Sequence, residues 1–229
     1  MIALTWYETS LLLRSHKWIP PVLLYVIGVG GLGAISEPFG AGLAPSLNWA
    51  ALMLVPVVAW MTRSVLTAEP PAARACIAAA SGPRRAQAAA LIAAVLFGIV
   101  LGLAGVIWGY VNAGPIRTRS TNQIELGTTF HVLGGGLLAA LICLLVASAI
   151  GALCNPPLVR RTGPGMLTTT AAVVVSLAWS ASPANAALRT PETGVPTSSW
   201  PSGLPLIAAI ALLVITWAIS IQLAARREG

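Results

Sequence analysis

Long apolar runs separated by short charged intervals decide what this chain can fold into. It carries 13 basic and 6 acidic residues among 229, and nearly all of them fall between runs about long enough to cross a bilayer. A soluble domain carries about 25% charged residues, against 8% here, and the mean hydropathy is +0.85. The chain therefore reads as a polytopic membrane protein. Six runs are expected to span, at about 18–35, 47–66, 87–111, 128–153, 166–181 and 204–223. Pro56 should kink the second, and the fifth is short and opens on threonines.

The charges also orient the chain. With the N-terminus inside, Arg14, Lys17, Arg63, Arg74, Arg84, Arg85, Arg160, Arg161, Arg226 and Arg227 fall inside and Arg117, Arg119 and Arg189 outside. This bias of 10 against 3 predicts both termini in the cytoplasm. The acids divide evenly, with Glu8, Glu69 and Glu228 inside and Glu37, Glu125 and Glu192 outside. The same rule accounts for the high isoelectric point, near 10.4, without nucleic-acid binding. Residues 1–17 alternate apolar and polar positions, which predicts a helix lying in the interface. Trp18 and Pro20-Pro21 then turn the chain into the membrane.

The sequence lacks the common catalytic and nucleotide-binding signatures. There is no GxxxxGK[ST] loop, so any ATP must be bound by a partner. HExxH, GxSxG and paired-acid patterns are absent too. Cys76, Cys143 and Cys154 have no metal or redox spacing and read as small packing residues. The run Gly28-Val-Gly-Gly-Leu-Gly33 and the triplet Gly134-Gly135-Gly136 lie inside apolar runs, where small residues let membrane helices approach. Thr168-Thr169-Thr170 reads as packing or interhelical hydrogen bonding. His131 and Glu125 lie six residues apart, a poor match to one helix face. Span centres nearly free of ionisable residues argue against proton or sodium coupling. They favour transport driven from outside the membrane, or an apolar substrate.

The interval 67–87 carries most signal. Glu69-Pro70-Pro71 stops the second span, because the residue before proline leaves the helical region. Pro71 suits the first turn of a new helix, Ala72 to Ala80 is strongly helix-forming, and Ser81-Gly82-Pro83 ends it. Arg84-Arg85 is expected to precede the third span. A short helix held between two spans can transmit force from a cytoplasmic partner; the same residues also suit an ordinary surface loop.

In three places the chain resembles the ABC-2 type permeases, the membrane subunits of bacterial ABC exporters, in their actinobacterial version. The stretch Tyr7-Glu8 through Arg14, Lys17, Trp18 and Pro20-Pro21 resembles their elbow helix. Glu69-Pro70-Pro71 through Arg74, Gly82, Arg84 and Arg85 resembles their coupling segment. Asn155-Pro-Pro-Leu-Val-Arg160-Arg161-Thr-Gly163 resembles a recurrent cytoplasmic turn.

The resemblance implies a single permease domain over 1–229 in the type V exporter fold. It would have an N-terminal interfacial elbow helix (1–17), six transmembrane helices, a cytoplasmic coupling segment (68–87) and an extracellular segment (182–203). It implies a multi-pass protein of the bacterial plasma membrane with no enzymatic activity and no cofactor of its own. Its partners would be the lipid bilayer, a second permease subunit, identical or different, and cytoplasmic ATPases that bind ATP and Mg, with no nucleic acid. Glu69, Pro70, Pro71, Arg74, Arg84 and Arg85 would couple to the ATPase, and Glu8, Arg14, Lys17 and Trp18 would form the elbow. The cargo would be a drug, peptide, lipid or glycan. A non-transporting scaffold or assembly subunit is the alternative reading. An intramembrane enzyme is the third, and it lacks paired catalytic residues.

Overall fold

The computed structural model describes residues 2–32, 42–113, 126–154, 162–189 and 203–228, and among these the secondary structure is helical, with no strand. The helices are α1 (Ile2–Arg14), α2 (Ile19–Val26), α3 (Leu43–Leu66), α4 (Pro71–Ser81), α5 (Pro83–Ala113), α6 (Leu126–Leu153), α7 (Thr162–Ala178), α8 (Pro183–Arg189) and α9 (Gly203–Glu228). A wider π turn, Ile27–Leu32, continues α2.

Among the described residues, four helices are long and apolar enough to cross a membrane: Leu43–Leu66, Pro83–Ala113, Leu126–Leu153 and Gly203–Ala224. The first and fifth expected spans are shorter. α7 has 17 residues, which at 1.5 Å each reach about 25 Å, short of the roughly 30 Å hydrocarbon core. α5, at 31 residues, is about 46 Å long and overreaches that core. Most of its extra length over the expected 87–111 is at the start. Pro83 opens the helix, so Arg84 and Arg85 lie in its first turn rather than ahead of it. Proline suits that position because its missing N–H would have no partner there.

α3 is the hub, packed on α6 and α5, with α9 covering the other side of both. Leu54, Val55, Val58 and Met61 on α3 are fully buried. The helix runs on through Pro56. Its seam with α6 depends on missing side chains. A Cβ at Gly151 would sit 2.6 Å from Thr62 Cβ and 3.1 Å from the Ala59 carbonyl, and one at Gly136 would sit 2.7 Å from Leu47. The glycine triplet is thus used unevenly: Gly135, beside Gly136, has open space around it. In the π turn, Gly28 lets Met53 approach, and Trp49 Nε1 donates to the Gly28 carbonyl at 2.9 Å.

Cross-links between helices give the direction of travel. Lys17 Nζ donates to the Thr67 carbonyl at the end of α3, whereas Tyr25 donates to the Ala50 carbonyl nearer its start. The segment 17–28 therefore runs antiparallel along α3. Gly165, near the start of α7, lies against the Arg63 guanidinium and the Cys154 carbonyl. Gln87 Nε2 donates to Ser220 Oγ at 3.0 Å, joining the start of α5 to the final third of α9. One end of the bundle thus gathers Lys17, the end of α3, α4, the start of α5, the start of α7 and the end of α9.

Candidate functional site

At that end the two elbows flagged by the sequence meet. The first is the α1–α2 corner. Ser15 N–H donates to the Leu11 carbonyl, and His16 adopts φ +55°, the left-handed conformation that commonly stops a helix. Trp18 Nε1 donates back to the Leu13 carbonyl at 3.2 Å, closing the corner, and its ring packs on the core. Arg14 and Lys17 are exposed.

α1 buries one of its charged residues, Glu8. Glu8 is only 3% exposed, while Ile2 and Trp6 are 89% and 76% exposed. The cause is docking. α1 lies across α5 and α3, and Glu8 and Leu12, one turn apart, form the face it turns inward. Its exposed apolar side chains suit the headgroup boundary of a bilayer.

The second corner is the α3–α4–α5 turn. Pro70 is extended at ψ 146° and caps α4, which Pro71 opens. Arg74 lies along α4. Gly82, at φ +86°, breaks the helix before Pro83 restarts it. A side-chain-bearing residue rarely adopts that φ, so glycine is what permits the break. α4 rests on α5 with Ala78 buried, and Ala72, Ala75, Cys76, Ala79 and Ala80 are exposed.

Three contacts join the corners. Lys17 Nζ meets the Thr67 carbonyl at 3.0 Å, which places a cation on the negative end of the α3 dipole. The Tyr7 hydroxyl hydrogen-bonds Glu69. Glu8 and Glu69 line one small cavity with Val65, Leu66, Ala86 and Ala90. Partial burial, then the carboxylates of Glu69 and Glu8, push the Tyr7 hydroxyl above its usual 10.0. Tyr7 therefore stays a neutral donor to Glu69 at physiological pH.

The structure brings together Glu8, Lys17 and Glu69 through direct contact or a shared cavity. Arg84 and Arg85 are exposed on the first turn of α5. Arg84 faces α9, in a groove with Ala218, Ile221, Gln222 and Arg226. Glu125 and the 155–161 turn lie outside the described residues; His131 is exposed on α6. Of the 182–203 segment, Pro183–Arg189 is a helix with Ala184 and Ala187 fully buried, packed on α6 and α9. Residues 190–202 of that segment lie outside the described residues.

The threonine run serves its own helix, with Thr168 and Thr169 donating to the Gly165 carbonyl and Thr170 to that of Met166. Thr168 and Thr169 also hydrogen-bond the Cys154 thiol, whose pKa burial nonetheless pushes up. Sequence reasoning missed three participants: Thr67, whose carbonyl receives Lys17; Tyr7, as the Glu69 partner; and the Gln87–Ser220 pair. Gln87 and Ser220 are 133 residues apart; Gln87 closes the 68–87 segment without being singled out there, and Ser220 belongs to no motif.

The fold is that of an all-helical, multi-pass membrane protein. No family model, curated protein or solved structure matches the chain.

Proposed function

We propose that the chain is the transmembrane subunit of an ATP-driven exporter of the ABC-2 permease kind, paired with separate ATPase subunits and a second permease subunit. The observation that carries this reading is the junction of the two corners. Lys17 reaches Thr67 and Tyr7 reaches Glu69, so a push on α4 is transmitted to α1 and to the spans that α1 crosses. α4 offers a partner an outward surface of small side chains.

The direction of travel supports six crossings. The segment 17–42 starts beside the end of α3 and finishes at its start. Likewise the segment 162–203 starts beside Arg63 and finishes at the start of α9, whose other end carries Ser220. Each has to traverse the bundle. Both termini then share the end that holds Arg14, Lys17, Arg63, Arg84, Arg85 and Arg226, which the positive-inside rule assigns to the cytoplasm.

The test is purification from native membranes together with neighbouring gene products, then charge reversal of the exposed pair, Arg84→Glu with Arg85→Glu. Copurification of an ATPase whose hydrolysis is uncoupled by the reversal is the expected result. An intact, folded complex that contains no ATPase, with export unaffected by the reversal, leaves a scaffold or assembly subunit as the reading.

A further inference from the structure

We infer that the groove between the start of α5 and the end of α9 binds the headgroup of an anionic phospholipid. The groove is about 540 Å³, within the roughly 300–1,000 Å³ of small-ligand clefts. Its lining is graded along α9. Ala218 and Ile221 form the apolar wall, Gln222 follows one residue on, and Arg226 stands one turn beyond. Arg84 faces them from α5, and no acidic residue lines the groove among the described residues.

Electrostatics favour an anion here. Two arginines, Arg84 and Arg226, line the groove, and each guanidinium can hold phosphate oxygens through paired N–H donors. Arg84 also sits in the first turn of α5, where the helix end adds partial positive charge. The buried Gln87–Ser220 hydrogen bond holds the two helices together beside the groove, so the groove is formed before anything binds.

The apolar wall selects lipid over free phosphate. Around and below Ala218, α9 presents Ile219, Ile215 and Val214 outward, and only 17% of its apolar stretch is buried in the protein. A phosphate held by Arg84 and Arg226 therefore has an apolar helix face directly below it, along which acyl chains can lie. Basic pockets between spans at one membrane face are a known mode of anionic-lipid recognition. The inference rests on the chain being a membrane protein and is independent of the exporter reading.

The experiment is native mass spectrometry of the full-length chain in a neutral detergent, titrated with dioleoylphosphatidylglycerol, dioleoylphosphatidylcholine or inorganic phosphate. The expected result is retention of phosphatidylglycerol with at least tenfold preference over phosphatidylcholine. Arg84→Gln with Arg226→Gln should abolish that preference. Ile221→Trp, which fills the groove without changing charge, should do the same and decides the matter if the double variant aggregates. Equal binding of the two lipids, or preference surviving Ile221→Trp, overturns the inference. Inorganic phosphate binding as tightly as phosphatidylglycerol overturns it as well, since the site would then hold the ion alone.

Discussion

α3 and α9 are both long enough to cross a bilayer, yet they live in opposite surroundings. α3 is the least apolar of the four long helices and has 72% of its apolar stretch buried; α9 is more apolar and has only 17% buried. The order is the reverse of that in a soluble protein, because lipid offers apolar side chains no less comfort than a protein interior does. Side-chain size and shape, not hydropathy, decide which helix goes inside. α3 brings small residues to its seams, Ala59 against Gly151 on α6 and Ala50 against Gly105 on α5. α9 instead turns Ile207, Val214 and Ile215 outward.

The sharpest way to break this contrast is at the α3–α6 seam. Gly151→Val drives methyl groups into Thr62 and the Ala59 carbonyl. The expected loss is about 1–3 kcal/mol, the ordinary range for overpacking, measured as unfolding in detergent micelles. Val214→Ala on the exposed face of α9 should stay within about 0.5 kcal/mol. Similar losses from the two variants would end the distinction.

Gln87 is the next largest expected effect, since it is where α9 is tied to the bundle. Gln87→Ala removes a buried side chain that donates to Ser220 and should cost about 0.5–1.5 kcal/mol. Combined with Ser220→Ala in a double-mutant cycle, it should show coupling; strictly additive losses would mean the bond contributes nothing. Lys17→Met removes the cation at the end of α3 and should cost about 0.3–1 kcal/mol, less in high salt. If export falls much further than stability does, the joined corners transmit force as well as hold shape.

The smallest expected effect is at Tyr7, through pH. Its hydroxyl pKa is raised in the folded chain, so the unfolded chain ionises first as pH climbs. Stability should therefore be unaffected below about pH 10 and fall above it. Tyr7→Phe should flatten that alkaline limb, read as unfolding midpoint against pH.

Much of the architecture was legible in the charge spacing and in the helix-breaking residues. Glu69-Pro70-Pro71 and Ser81-Gly82-Pro83 end and start helices as proline and glycine chemistry requires. The inward turn of Glu8 was not legible. A 13-residue pattern shows which residues share a face but not which face a neighbouring helix will cover. The Gln87–Ser220 pair joins positions too distant for local periodicity to relate. α5 and α6 are apolar on both lipid and core faces, so their patterns do not mark a buried side. Glycine positions hint at one, as Gly151 and Gly136 do, but Gly135 beside them fills no seam.

The docking of α1 also carries a consequence for biogenesis. α1 is synthesised before α3 and α5, yet it packs on both, with Glu8 lining a small cavity with Val65, Leu66, Glu69, Ala86 and Ala90. At roughly 5–20 residues per second, synthesis up to the end of α5 takes on the order of ten seconds. During that interval α1 has no seat, and Glu8 remains in the aqueous boundary. Ribosome-bound chains truncated before residue 83 should leave position 8 open to a water-soluble cross-linker, and chains released after α5 has inserted should protect it.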